Sequence, residues 1–226
     1  MKTFSFAIPI YSKWHLTHQL LFDVYQKCSD VHEVVVVNDN CNDQDVLDGL
    51  KWWQGNGMLP IKVIKLDENV MFLKASNIAI KACTGDVIIT ISNDVRIHKD
   101  IVSPISIALQ PTTYNRTIVG GRYLDWDTGW NTFNKKIFPY LEGWLLATRK
   151  EHWEELGYFD ERYAPSDMED VDICTTAKSL GFDLVALTQD CTTHIGAQSI
   201  SYGSAREAIT IANKEKFRKK WTENEK

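Results

Sequence analysis

Apolar and polar residues alternate in two distinct rhythms over the first 95 positions of the chain. Apolar runs rich in β-branched residues predict four buried strands, at residues 3–10, 33–37, 61–66 and 87–91. Apolar residues at helical spacing predict three helices, at residues 14–25, 46–53 and 74–82. Strands that alternate with helices indicate an α/β fold, in which a parallel sheet carries helices on both faces.

Polar clusters follow three of these strands at the point where each strand ends. They are Tyr11-Ser12, Asn38-Asp39-Asn40 and Ser92-Asn93-Asp94. Ligands of parallel α/β sheets bind beyond the carboxyl ends of the strands. The sequence therefore predicts a binding site at this edge of the sheet.

The pattern after residue 95 is less regular. It predicts strands at residues 118–123, 143–148 and 183–187, and helices at residues 150–156, 171–180 and 205–221. Residues 126–140 are polar and aromatic with few periodic cues, which indicates a loop. No linker rich in proline or glycine divides the chain, so we expect residues 1–95 and 96–226 to form two halves of one domain.

The charge distribution argues against some classes of protein. A net charge of −5 over 226 residues disfavours a general polyanion binder, because phosphate binding needs clustered lysine and arginine. One local exception lies near the C-terminus, where five cations fall within seven positions beside Trp221: Lys214, Lys216, Arg218, Lys219 and Lys220. This basic cluster fits the solvated end of a helix, or a surface that docks to a nucleic acid, another anionic acceptor or a membrane.

The surroundings of the protein are also constrained by the sequence. No segment approaches the roughly 20 apolar residues that span a membrane, and the N-terminal apolar run is too short for a secretory signal. The five cysteines are scattered and contain no CxxC pair. Dispersed cysteines in odd number are typical of reduced thiols, so we expect a cytoplasmic protein.

Two strand-end acids are candidates for ligand binding. Asp39 could accept hydrogen bonds from a nucleotide base or ribose, although a turn aspartate that satisfies its own backbone is the commoner case. Asp94 could hold a hard cation such as Mg²⁺ or Mn²⁺, which bridges phosphate oxygens, or it could simply end its strand in a turn.

Acidic residues also gather before the predicted helix at residues 171–180. Asp167, Glu169, Asp170 and Asp172 place four acids in six positions. Acids favour the first turn of a helix, but four exceed what a cap requires, and their repulsion indicates a bound cation or a perturbed pKa. His194 follows a predicted strand and precedes Gly196, so it lies on a turn that a ligand could approach.

These clusters, in this order, resemble glycosyltransferase family 2, the inverting enzymes of the GT-A fold. FAIPIYSKW looks like the opening strand and loop of that family, and EVVVVNDNCND is similar to its nucleotide-binding strand. The segments ENVMFLKASNIAIKACTGDVIITISNDV, YLEGWLLATRKEHWEELGYFDERY, MEDVDICTTAKSLGF and THIGAQS follow in the family's order. The resemblance runs from Phe6 to about Ser199. It implies a Rossmann-like, mostly parallel central sheet flanked by helices, with residues 1–95 as the half that binds the nucleotide-sugar and residues 96–226 as the acceptor-binding and catalytic half.

The resemblance also implies a role for each matching residue. Asp39 matches the acid that contacts the base, usually uracil, so the expected donor is a UDP-sugar. Ser92-Asn93-Asp94 occupies the DxD site, with Asp94 as the ligand of Mn²⁺ or Mg²⁺ and His194 as a residue that completes the metal or diphosphate site. Asp170 matches the general base, with Glu169 beside it. The remaining donor-binding residues implied by the match are Pro9, Tyr11, Asn69, Lys74 and Asn77.

Two positions depart from the family pattern. Ser92 stands where the first acid of the DxD site is usual, which removes a charge next to the metal. Thr176 or Ala177 stands where members often carry an arginine, so a phosphate contact is expected from elsewhere in the chain.

The resulting hypothesis is an inverting hexosyl- or pentosyltransferase whose acceptor is the hydroxyl of a glycan or, with less support, of a modified nucleic-acid base. Aromatic residues between residues 126 and 140, namely Trp126, Trp130, Phe133 and Tyr140, are candidates for an acceptor wall or for ordinary loop packing. Two alternatives stay open, a nucleotidyltransferase and a non-catalytic protein that binds nucleotide-sugars. The first would usually carry a glycine-rich loop after its first strand, where this chain reads Tyr11-Ser12-Lys13-Trp14.

Overall fold

Strands and helices alternate along the chain as the sequence predicts. The computed structural model describes residues 2–110, 116–127, 136–196 and 204–222. The strands are β1 Phe4–Ile10, β2 Val31–Asn38, β3 Ile61–Lys65, β4 Val87–Ile91, β5 Val95–Ile97, β6 Thr117–Gly120, β7 Tyr123–Asp127, β8 Ile137–Leu141, β9 Leu145–Arg149, β10 Asp183–Ala186 and β11 Thr192–His194. The helices are α1 Trp14–Lys27, α2 Gln44–Gly55, α3 Met71–Ala82, α4 Val102–Ala108, α5 Lys150–Leu156, α6 Glu169–Ser179 and α7 Ser204–Trp221, with a short 3₁₀ helix at Glu161–Tyr163.

Seven strands form one sheet in the order β10-β6-β9-β4-β1-β2-β3. β1 pairs in parallel with β2 and β4, β2 pairs in parallel with β3, and β10 pairs in parallel with β6. β9 alone among these strands runs antiparallel, between β4 and β6. The sheet is thus mostly parallel, and it continues without a break across both predicted halves of the chain.

Two cores lie on opposite faces of this sheet. Successive residues of β2 alternate between them, since Val34 and Val36 pack on one face and Val35 and Val37 on the other. Leu20 of α1 and Trp53 of α2 belong to the first core. Residues of α3, α5, α6 and α7 belong to the second. Because both faces are covered, the strands are apolar runs rather than alternating ones.

The predicted loop over residues 126–140 is wrong at both ends. β7 and β8 pair as an antiparallel hairpin, with Trp126 opposite Phe138. Trp130 and Phe133 lie outside the described residues. The strand predicted at residues 118–123 is also divided, because β6 ends at Gly120 and β7 begins at Tyr123. Gly121 lies at this division and packs directly against the Trp144 indole, where any side chain would overlap the ring.

The helix predicted at residues 205–221 is confirmed as α7, and it packs beneath the hairpin. Phe217 is fully buried and makes edge contacts with Trp126 and Phe138. The Asn213 amide donates to the carbonyls of Tyr163, Ser166 and Asp167, in the segment that leads into α6. The C-terminal helix therefore holds the entrance of α6 in place. No helix of the described residues is both long and apolar enough to cross a membrane.

Candidate active site

One cavity of about 940 Å³ lies at the carboxyl ends of β1, β2 and β4. It is bounded on one side by the strand-end residues and on the other by the start of α6 and by α7. Ten of the predicted site residues line it: Pro9, Tyr11, Asp39, Asn69, Ser92, Asn93, Asp94, Glu169, Asp170 and His194. The predicted binding edge of the sheet is thus where the structure brings these residues together.

Asp39 is fixed by the turn that follows β2. The Asn38 side chain accepts a hydrogen bond from the Cys41 amide and donates to its carbonyl, which closes the turn. Asp39 Oδ1 accepts a hydrogen bond from the Val70 amide at 2.7 Å, and burial raises the pKa of this carboxyl. The acid therefore ties two strand-end loops together while facing the cavity.

Asp94 and His194 meet because two short strands pair. β5 and β11 run antiparallel with His194 opposite Val95, and the Ile195 amide donates to the Asp94 carbonyl. His194 Nε2 lies 3.3 Å from Oδ1 of the buried Asp94 carboxylate. The part of the chain that the structure describes contains no group of three or more His, Cys, Asp or Glu residues placed to hold a metal. A cation here would have to take further ligands from a bound substrate or from water.

Trp144 supports the histidine from behind. Its indole stacks on the His194 ring with centroids 5.3 Å apart and an interplanar angle of 19°. Trp144 Nε1 donates to Glu142, which is itself paired with Arg122. Sequence reasoning missed Trp144 and Glu142 as site residues, although the segment that contains them carried the family resemblance. The stacked ring fixes the plane of the imidazole and hence the direction of its nitrogen.

Glu169, which is buried, and Asp170, which is half-buried, form an acid pair at the first turn of α6. Asp170 accepts hydrogen bonds from the amides of Gly143 at 3.1 Å and Val171 at 2.8 Å. A side chain on Gly143 would place its Cβ 3.2 Å from Asp170 Cβ, so this close approach requires glycine or a small shift. Burial raises the pKa of Asp170 to about 6, against the effect of these amides. The charge of the neighbouring Glu142 also raises the pKa of Asp170, but burial is the larger cause.

Asp172 points away from the cavity into the α7 interface. Its carboxylate accepts hydrogen bonds from Tyr163 Oη, Lys220 Nζ and Trp221 Nε1. Asp167, at the cavity rim, is bound by Arg206 and Thr210 of α7. The four clustered acids thus divide into two that face the cavity as a pair and two that anchor α7.

Two predicted donor-binding residues do not line the cavity, and a third lines it with a side chain that bonds the protein. Lys74 is exposed on α3 and does not line the cavity. Asn77 is buried behind it, where its amide bonds the backbone of Phe159 in both directions. Asn93 does line the cavity, but its side chain donates to Ser12 O and Thr17 Oγ1. Asn77 and Asn93 therefore each join two segments of the chain through side-chain hydrogen bonds.

α7 contributes cavity residues that the sequence did not indicate. Arg206, Thr210 and Lys214 recur every four residues, so they share one helix face, and all three line the cavity. Arg206 and Lys214 are cations at the cavity. They are therefore candidates for the phosphate contact that the sequence led us to expect from elsewhere in the chain. Lys214 belongs to the basic cluster noted in the sequence, whereas no local signal marks Arg206 or Thr210, since only the packing of α7 brings this face to the cavity.

The rest of the basic cluster is engaged within the domain. Lys220 pairs with Asp160 and Asp172, and Lys216 donates to the Arg162 carbonyl and to Asn213. Arg218 and Lys219 each lie within 4 Å of Glu215. These contacts favour the interpretation of a helix end over that of a docking surface for nucleic acid or membrane.

Comparisons with known proteins agree with this architecture. The family model described as "Glycosyl transferase family 2" matches residues 5–183. The sequence matches no curated protein. Among solved structures, GalNAc-T7 with UDP, GalNAc and Mn²⁺ superposes with a TM-score of 0.79 at 17% identity, covering 99% of this chain and 49% of that one.

Two further structures are similar at lower scores. The mannosyltransferase PcManGT from Pyrobaculum calidifontis, with GDP-Man and Mn²⁺, gives a TM-score of 0.68 at 16% identity, covering 88% of this chain and 58% of that one. TarS 1–349 from S. aureus, with UDP-GlcNAc, gives 0.62 at 19% identity, covering 91% of this chain and 63% of that one. The chain therefore spans between about half and just under two thirds of these neighbours. At such identities the likeness shows the fold, which is the predicted GT-A architecture.

Proposed function

This chain belongs to glycosyl transferase family 2, and we propose that it moves a sugar from a nucleotide-sugar to an acceptor hydroxyl with inversion at the anomeric carbon. The observation that carries the proposal is that one cavity holds both strand-end acids and the acid pair of α6. Asp39 and Asp94 line it together with Asp170, and His194 adjoins Asp94. A nucleotide-sugar needs partners for its base, its diphosphate and the incoming hydroxyl, and these residues supply one for each.

The donor lies along the strand ends in this proposal. Asp39 accepts a hydrogen bond from the base, and Tyr11, which is 50% exposed at the cavity, offers a ring for stacking on it. Ser92 offers a hydroxyl to the ribose. Two of the three neighbours named above were solved with UDP or a UDP-sugar, which favours uracil as the base.

The diphosphate is assigned to Asp94 and His194. A buried carboxylate 3.3 Å from an imidazole nitrogen offers one oxygen and one nitrogen donor, which suit Mn²⁺ and leave the other positions for phosphate oxygens and water. Two neighbours were solved with Mn²⁺. When bound, the cation supplies positive charge that offsets the charge developing on the leaving diphosphate. Arg206 and Lys214 can add to that charge from α7.

Asp170 is the proposed general base. It takes the proton of the acceptor hydroxyl as the acceptor oxygen bonds to the anomeric carbon. The bond from that carbon to the diphosphate oxygen breaks, and the diphosphate leaves with the electron pair from the opposite face. A pKa of about 6 suits this task, because the carboxylate is ionised at neutral pH yet basic enough to accept a proton.

The acceptor is proposed to lie against the hairpin. Trp126 and Tyr140 line the cavity beside the acid pair, and aromatic faces pack well against sugar rings. Burial raises the pKa of Tyr140 to about 12, so its hydroxyl stays protonated and can donate to an acceptor oxygen. These groups favour a carbohydrate acceptor.

A screen of donors and acceptors tests this proposal. Purified protein is incubated with a panel of UDP- and GDP-sugars, with methyl glycosides as acceptors, with Mn²⁺ or with excess EDTA. We expect nucleotide release and transfer that EDTA abolishes, and Asp94→Asn to mimic the chelator because it removes the charged ligand. Turnover in excess EDTA would contradict the metal assignment, and no binding or turnover of any nucleotide-sugar would contradict the function itself.

A further inference from the structure

Glu169 lines the cavity and has a hydrogen-bonding atom that the described chain leaves without a partner. Its side chain lines the cavity, yet the residue is only 7% exposed. Oε2 is buried and has no hydrogen-bond partner within the residues that the structure describes. A buried polar oxygen without a partner loses the free energy of its hydration, so such atoms in native proteins usually have a function or a bound ligand.

The groups around Glu169 do not favour a charge there. Asp170 is its neighbour on α6, and Asp167 lies in the segment before it. Arg206, the α7 cation whose charge acts on Glu169, is paired with Asp167 at 2.9 Å. Glu142, across the cavity, is paired with Arg122. An ionised Glu169 would thus lie beside a second carboxylate without a cation of its own, which is costly in a buried place.

We infer that Glu169 is a neutral carboxylic acid whose Oε2 hydroxyl donates a hydrogen bond to an oxygen of the acceptor sugar and so holds that sugar beside Asp170. The inference rests on the proposed function and assigns an acceptor-binding residue within it. A neutral acid has a hydroxyl donor that a carboxylate lacks, and here the hydroxyl belongs to a residue that lines the cavity and finds no acceptor within the described chain.

The two adjacent acids would then divide the work by protonation state. Burial, together with the charge of Asp170, raises the pKa of Glu169 well above its usual range. Asp170 is instead held towards its ionised form by the amides of Gly143 and Val171. On Glu169, its own backbone amide and Arg206 act in that direction without outweighing burial and the charge of Asp170. Paired acids whose environments separate their pKa values are a common means of placing a donor and a base side by side.

Two substitutions distinguish this role from that of a base. Glu169→Gln keeps the shape and a neutral amide donor, whereas Glu169→Leu keeps the approximate volume without a donor. With the methyl glycoside that reacts fastest in the screen, we expect Glu169→Leu to raise the acceptor KM about five- to tenfold. We expect Glu169→Gln to restore the KM to within about threefold of the wild type, and UDP affinity to be the same in all three proteins. Loss of kcat in Glu169→Gln, or an unchanged KM in Glu169→Leu, would overturn the inference.

A spectroscopic measurement tests the protonation state without turnover. The full chain is labelled with ¹³C at the glutamate carboxyl carbon, and the Glu169 signal is identified by its loss in Glu169→Gln. At pH 7 in the presence of UDP and Mg²⁺, we expect the shift of a protonated carboxyl. The shift of a carboxylate at pH 7 would overturn the inference while leaving the proposed function to the donor screen, so the two failures are distinguishable.

Discussion

At the scale of single residues, acidic residues of the candidate site also hold the loops on which they lie. Asp39 shows this most clearly, because one of its oxygens accepts the Val70 amide while the residue lines the cavity. Asp94 likewise lies on a turn whose carbonyl accepts the Ile195 amide. The turn contacts and the position at the cavity therefore occur together at both residues, although the sequence offered a turn role and a ligand role as alternatives.

Asp39 can be tested by a substitution that preserves its structural bond. Asp39→Asn retains an oxygen for the Val70 amide but replaces the other oxygen by an amide donor, which repels a base N–H. We expect UDP affinity to fall by about 1.5–3 kcal/mol, the usual size of a charge-assisted hydrogen bond. Titration calorimetry measures the affinity, and thermal unfolding serves as the control, since Tm should move little. UDP binding as tight as in the wild type would show that Asp39 serves the loop alone.

Which site residues the sequence could predict depends on where they lie. Asp39, Ser92 and Asp94 were predictable because parallel strands bring their carboxyl ends to one edge. Lys74 and Asn77 follow from the resemblance alone, and in the structure Lys74 is exposed on α3 while Asn77 bonds the backbone of Phe159. Trp144 could not be found by periodicity, since it precedes β9 and reaches the site only because β9 runs antiparallel to β4.

At the scale of elements, α7 is attached both to the start of α6 and to the segment that leads into it. It binds the segment before α6 through Asn213, and it binds α6 itself through the contacts of Lys220 and Trp221 with Asp172. α7 also lies beyond residue 183, where the family match ends. We conclude that these contacts of α7 hold the start of α6, and with it Glu169 and Asp170, in position.

Neighbouring lysines on α7 give a matched test of that attachment. Lys220→Gln removes the cation from the buried Asp172 carboxylate, and we expect the free energy of unfolding to fall by about 1–3 kcal/mol. Lys219 is exposed and lies 3.7 Å from Glu215, so Lys219→Gln should change it by less than about 0.5 kcal/mol. Urea unfolding of both variants measures the difference. Equal effects would mean that charge, and not the Asp172 contact, governs this part of α7.

Long buried elements were predictable, whereas short paired ones were not. The four valines of β2 indicate a strand buried on both faces, and the structure confirms it. β5 and β11 have three residues each, too few for a periodic pattern, yet their pairing brings His194 to Asp94. The β7–β8 hairpin is partly exposed and its strands do not alternate cleanly, so its sequence resembled a loop.

At the scale of the whole molecule, the candidate site lies where the ends of the parallel strands meet the start of the antiparallel strand β9. The parallel strands deliver the proposed donor site, and the antiparallel β9 returns Gly143 to the start of α6, where its amide binds Asp170. Covering both faces of the sheet leaves this edge as the place where polar side chains gather in a cavity. The central claim is that Asp170 removes the acceptor proton there.

The most direct test is the turnover of Asp170→Asn, measured with the fastest donor and methyl glycoside and compared with Asp45→Asn, an exposed acid on α2. Asparagine keeps the shape but cannot accept the proton, so we expect kcat to fall by roughly 10²–10⁴-fold while UDP affinity and the Asp45→Asn variant stay near the wild type. Because the base must be ionised, wild-type kcat should also fall as the pH drops through about 6. Near-normal kcat in Asp170→Asn would contradict the account.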